Sequence, residues 1–174
     1  MTVVVKLTKI KCKISLFVFI LISVALTFIC EKLPDRICDY KKWLFRERKW
    51  EKGGRIYERF FRVKHWKSKV PDISDFMKWR FSKKHLGRLN DNYLCTFLIE
   101  SCRSEFTHWM IILSTMLFGL WEDVLTTSGM FFLACFLNLP YIIIQRYNRP
   151  RLRKLLEKNS LSAIPAEIGN WHAY

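Results

Sequence analysis

Two short strings hold the residue types that could do chemistry. The first is Glu100-Ser101-Cys102-Arg103-Ser104-Glu105-Phe106-Thr107-His108-Trp109, and the second is Gln145-Arg146-Tyr147-Asn148-Arg149-Pro150-Arg151-Leu152. If the first string is helical, Glu105 and His108 are i, i+3 neighbours on one face. A carboxylate beside an imidazole is a general-base arrangement, which makes His108 the candidate base and Glu105 its assistant. Arg103, Arg146 and Arg149, with Gln145 and Asn148 beside them, are candidate substrate-binding residues. Guanidinium groups bind phosphate and stabilise oxyanions. The plainer alternative is that these pairs only neutralise one another near lipid. Polar groups at the lip of an apolar segment weigh toward function, because they are costly at depth.

The elements that must position these strings are apolar blocks. Ile14 to Cys30 is interrupted only by Ser15, Ser23 and Thr27. At about 1.5 Å per residue it falls slightly short of a hydrocarbon layer of roughly 30 Å. Lys11, Lys13 and Lys32 can snorkel at its ends. The lysines before it also fit a signal peptide, but Thr27-Phe28-Ile29-Cys30 is too bulky for a cleavage site, so a retained anchor is expected. A second block runs from Trp109 to Trp121, extended back through Phe106. After Glu122-Asp123, a third runs to Ile144 and contains Asn138 and Pro140. These two read as a helical hairpin, spanning or re-entrant, with Trp109, Trp121 and Tyr141 at interfacial depth. Asn138 reads as bonding a neighbouring helix. A hairpin would bring the two polar strings to one membrane surface.

Between the first and second blocks lies a basic, aromatic region. Ile56, Phe60 and Val63 share a helical face beside Arg55, Arg59 and Arg62, which predicts an amphipathic interfacial helix after the Gly53-Gly54 breaker. Trp43, Trp50, Trp66 and Trp79 are expected at the interface. Val70-Pro71-Asp72 reads as a turn, with Asp72 or Ser74 capping a second short helix. The 174-residue chain carries 30 Lys and Arg against 15 Asp and Glu, a net charge of +15. In a soluble protein that excess would suggest nucleic acid. Here the apolar blocks redirect it to an anionic membrane surface, so membrane lipids are expected partners and nucleic acid is not. Placing the basic regions on the cytoplasmic side leaves Lys6, Lys9, Lys11 and Lys13 in conflict with that orientation.

The six cysteines form no C-x-x-C pair and fit no zinc site, so no metal is expected. No G-x-S-x-G, H-E-x-x-H or P-loop is present. His85 and Asp91 miss the H-x4-D spacing of glycerophosphate acyltransferases. His65, His85 and His172 each read as structural or surface residues.

Both strings, with Asn138-Leu139-Pro140, resemble the glycosyl-4,4'-diaponeurosporenoate acyltransferase family of staphylococci. Within the first string the matching residues are Glu100, Arg103, Glu105, His108 and Trp109. Leu33-Pro34-Asp35, Phe45, Glu51-Lys52, Gly54, Phe61, Val63, Trp66-Lys67, Lys69 and His85-Leu86 add to the likeness, which runs from Leu33 to Leu152. His65 falls outside the family pattern. The resemblance implies transfer of a fatty acyl chain to the C6 hydroxyl of glucose on a glycosylated carotenoid acid, the last step in making staphyloxanthin. It implies as partners a glycosylated carotenoid lipid, an acyl thioester donor on coenzyme A or acyl carrier protein, and other carotenoid-pathway enzymes. No cofactor is implied.

The combined expectation is an all-α integral protein of the bacterial cell membrane. An N-terminal tail and anchor occupies 1–32. An acyltransferase-like domain at 33–152 contains the hairpin 106–144. A basic helix and polar tail occupies 153–174. The competing reading is a non-catalytic membrane scaffold for carotenoid-synthesising enzymes. Single polar substitutions in the two strings separate the readings, because a scaffold tolerates them.

Overall fold

The computed structural model describes residues 2–70 and 91–162, and every described element is helical or a turn. Trp79, His85, His172 and the expected turn and helix after Val70 lie outside the described residues. Five α-helices are described: α1 Thr2–Glu31, α2 Arg55–Phe61, α3 Val63–Trp66, α4 Asp91–Ser114 and α5 Val124–Ser162. A 3-10 turn, Thr115–Leu120, leads out of α4.

Among the described residues, two helices are long and apolar enough to cross a membrane, Ile10–Glu31 and Val124–Asn159. The expected hairpin corresponds to α4 and α5, turning through Trp121–Asp123, but both helices exceed the apolar blocks. α4 begins at Asp91 rather than 106, and α5 continues through 144 and 152. The physical reason is local. A helix is closed by backbone hydrogen bonds, so a change from apolar to charged side chains at Gln145 does not end it. Pro140 and Pro150 each lack an amide N–H, yet α5 runs through both.

The chain divides into two compact units. The first combines Met1–Cys38 with Cys102–Gln145. Its core is Phe19, Ile111, Ile112, Phe118, Met130, Ala134 and Ile142, with Val18, Ile22, Leu26, Phe131 and Cys135 packed against it. On α1 the inward stripe is Ser15, Phe19, Ile22, Leu26 and Cys30, at i+3 and i+4 steps. Ile14, Phe17, Ile20, Leu21, Val24, Phe28 and Ile29 on the remaining faces are exposed, as are Val124, Leu125, Phe132 and Phe136 on α5. Polar contacts fix the direction of α1. Ser15 Oγ donates to Glu122 Oε1 at 2.6 Å. At the other end Arg103 Nη2 donates to the Leu33 carbonyl at 3.0 Å and Asp35 Oδ1 at 2.7 Å. α1 therefore runs antiparallel to α4, and its N-terminal half lies at the hairpin turn. From Ser15 to its end at Glu31, α1 rises about 24 Å, a little short of a hydrocarbon thickness.

The second unit combines Asp39–Ser101 with the chain from Arg146 onward. Phe45, Tyr57, Val63, Leu94, Leu98 and Tyr147 are its buried hydrophobic side chains, and Glu51, Ser101 and Arg149 are buried with them. The anticipated amphipathic face is corrected here. Arg62 adopts a left-handed conformation (φ 47°) that ends α2 and starts α3. The break takes Val63 out of the helix that carries Ile56 and Phe60, so the three do not share one continuous face; Tyr57 and Val63 are buried and Phe60 is 70% exposed. Gly54 is required where it stands. Its φ is +79°, and a Cβ there would lie 3.0 Å from the Tyr147 carbonyl oxygen.

Candidate active site

The first unit is apolar outside and holds polar groups inside. Ser104, Glu105 and Thr107 on α4 and Asn138 and Gln145 on α5 are all buried, and His108 is half-buried. On α5, Asn138, Tyr141 and Gln145 follow i, i+3, i+7 and share one face. Buried polar groups cost free energy unless they bond one another, so this arrangement fixes side chains rather than merely accommodating them.

At its centre His108 Nδ1 lies 2.7 Å from Asn138 Oδ1. Asn138 Nδ2 donates to the Ala134 carbonyl at 2.8 Å. A carbonyl can only accept, so the amide NH2 faces Ala134 and Oδ1 faces the imidazole. The proton of the neutral ring must then sit on Nδ1, leaving the lone pair on Nε2. Tyr141 stacks on the imidazole, with ring centroids 4.7 Å apart and planes at 12°. The ring is thus held by an acceptor at one edge and an aromatic face beside it, as a general base requires.

Glu105, expected to assist His108, is fully buried one turn away, but the ring nitrogen Nδ1 is bonded to Asn138. The sequence singled out Asn138 only as an interhelical bonding residue and Tyr141 only as an interfacial one. The signal for their role was a polar side chain inside an apolar block, with an aromatic residue three positions later on the same face.

Arg103 is turned to Leu33 and Asp35. In the second unit, Arg146 and Arg149 give their donors to the protein. Arg146 Nη1 meets Glu51 Oε1 at 2.9 Å, and Nη2 meets the Leu44 carbonyl at 2.8 Å. Arg149 is buried, with Nη1 on the Phe45 carbonyl at 3.0 Å and Nη2 on the Ser101 carbonyl at 3.1 Å. Asn148 Oδ1 accepts from Lys67 Nζ at 3.4 Å. The sequence reading missed Glu51, which is 2% exposed. It also accepts from the Tyr57 hydroxyl at 2.6 Å and from the Arg48 amide at 2.8 Å. The cavity beside Arg146 and Arg149 measures about 20 Å³, room for one water-sized group and too little for a phosphate. These arginines clamp the Leu44–Glu51 loop onto α5.

No group of three or more His, Cys, Asp or Glu side chains able to hold a metal occurs among the described residues. None of the six cysteines is in a disulfide.

The sequence profile of glycosyl-4,4'-diaponeurosporenoate acyltransferase matches residues 41–158, which include His108, Asn138, Tyr141, Glu51 and both clamping arginines. Proteins of that name from Staphylococcus aureus strains bovine RF122 / ET3-1 and MRSA252 are 33% and 34% identical over 125 residues. In each case this covers 72% of this chain and 75% of the relative. The chain belongs to the glycosyl-4,4'-diaponeurosporenoate acyltransferase family. It is accordingly an enzyme of the acyltransferase class. All of α1 precedes the matched segment. No solved structure matches the chain.

Proposed function

We propose that this enzyme moves a fatty acyl chain from a thioester donor to the C6 hydroxyl of the glucose on a glycosylated carotenoid acid, completing a staphyloxanthin-type pigment. The observation that carries the reading is the His108–Asn138–Tyr141 arrangement inside an otherwise apolar helical unit. The family's curated members are named for this acceptor. His108 Nε2 takes the hydroxyl proton as the sugar oxygen attacks the thioester carbonyl. The tetrahedral intermediate collapses, the C–S bond breaks, and the imidazolium returns its proton to the departing thiolate. An ester and a thiol result. Both acceptor and acyl chain are lipid-embedded, so much of the rate gain comes from aligning them. Glu105 and Gln145 complete the polar interior around the reacting groups. Arg103, on the present geometry, fixes the α1–α4 end of the site.

The exposed apolar faces of α1 and α5 support integral insertion in a bacterial cell membrane. With the Arg103 end cytoplasmic, the antiparallel course of α1 carries its N-terminal lysines to the opposite side. The experiment is conversion of glycosylated carotenoid acid to its acyl ester by the purified protein in lipid. His108→Ala should keep normal abundance in the membrane and lose roughly 10²- to 10⁴-fold in rate. Full activity in that variant would refute the assignment.

A further inference from the structure

We propose that the second unit carries a site for the phosphate groups of a coenzyme A thioester donor, in the open groove lined by Lys52, Gly53, Arg55, Arg153 and Lys154. This rests on the reading of the enzyme as a thioester-dependent acyltransferase. The groove is open to solvent, offers about 600 Å³ on the same measure as the cavity beside Arg146, and has one further lining residue, Glu47. Four cations therefore face one carboxylate.

That carboxylate is already engaged. Glu47 Oε1 accepts the Gly53 amide at 2.6 Å, and Oε2 lies 3.6 Å from Arg153 Nη2. Lys52 and Lys154 have no ion-pair partner among the described residues. The backbone shapes the floor. Lys52 and Gly53 are both left-handed, with φ of 49° and 70°. A Cβ on Gly53 would stand 3.9 Å from Lys154 Nζ, so the missing side chain keeps the space under that ammonium open. Arg146 and Arg149 instead bond the Leu44–Glu51 loop and Ser101.

Charge selects the ligand. Arg153 also pairs with Glu157 through Nε at 3.3 Å, so two positive charges remain in surplus, and they match a compact polyanion better than a single phosphodiester. Coenzyme A carries a 3'-phosphate of about −2 together with a diphosphate. A phospholipid head group such as phosphatidylglycerol offers one charge at the same chemistry.

The test is direct titration of coenzyme A, without an acyl chain, into the full-length protein in nanodiscs of neutral lipid. Lys52→Ala/Lys154→Ala should weaken binding about tenfold at low salt, since two exposed charge contacts are lost together. The charge-keeping Lys52→Arg/Lys154→Arg pair should retain affinity, which separates loss of charge from loss of fold. Dephospho-coenzyme A should bind the native protein more weakly, and salt should weaken all of these contacts. Equal affinity of native and Ala variants would overturn the proposal, as would a native protein that does not bind coenzyme A. Loss of binding to phosphatidylglycerol vesicles with coenzyme A affinity intact would also overturn it, assigning the groove to lipid. If coenzyme A binding follows the lysines but no carotenoid glycoside is acylated, the groove stands and the acceptor assignment falls.

Discussion

Replacing Asn138 by Leu tests whether the imidazole is held for catalysis or merely housed. The bond from His108 Nδ1 to Asn138 Oδ1 is 2.7 Å and joins two neutral groups in the resting enzyme. A neutral bond of this kind contributes about 0.5–1.5 kcal/mol net. When Nε2 takes the sugar proton the ring becomes a cation, and the same bond becomes charge-assisted, worth about 1.5–3 kcal/mol. Only the difference, about 1–2 kcal/mol, lowers the barrier, because the ground-state part is present before reaction. Asn138→Leu should therefore lower kcat by about 5- to 30-fold and leave KM for the carotenoid glycoside little changed. His108→Ala should lose far more. Glu105→Gln, which leaves this bond in place, should lose less than Asn138→Leu. The assay is initial-rate ester formation by purified variants in lipid, with membrane abundance checked for each. An Asn138→Leu enzyme within twofold of native kcat, beside an inactive His108→Ala enzyme, would refute the argument.

Glu51→Ala strands the Arg146 guanidinium and the Tyr57 hydroxyl in a buried site and should cost about 3–5 kcal/mol, read as thermal unfolding in lipid. Adding Arg146→Met to that variant should recover part of the loss. On a cysteine-free background, Asp35→Cys and Glu122→Cys should react with impermeant reagents from opposite sides of the membrane, because α1 joins the Arg103 end to the hairpin turn. The Thr126 hydroxyl and amide hold the Asp123 carboxyl below its ordinary value. Its contribution to stability is present above the unfolded-state value and lost as pH falls through the lower folded one. Acid unfolding of Asp123→Asn should lack that component; identical acid profiles would contradict it.

The sequence by itself determined the blocks, the turn and the strings. Runs such as Ile14 to Cys30 declare helices because apolar side chains need a non-aqueous neighbour whatever the rest of the chain does. The acidic Glu122-Asp123 pair marked the turn because it cannot follow apolar neighbours into a core. His108 stood out as an imidazole at an apolar boundary. The ends of α4 and α5 were less legible, since backbone hydrogen bonding carries a helix past the point where hydropathy changes. The break at Arg62 was hidden for a related reason: a left-handed residue other than glycine leaves no compositional mark, and it separates Val63 from the helix that carries Ile56 and Phe60. Only the tertiary structure decided what each polar group touches. His108 chose Asn138, 30 residues away, over the carboxylate one turn along its own helix. Arg146 reached back 95 residues to Glu51, and Arg149 reached 104 to the Phe45 carbonyl, contacts that no local spacing announces. A side chain's type limits which bonds it can make, but the partner is set by which surfaces pack together, and that is a property of the folded chain.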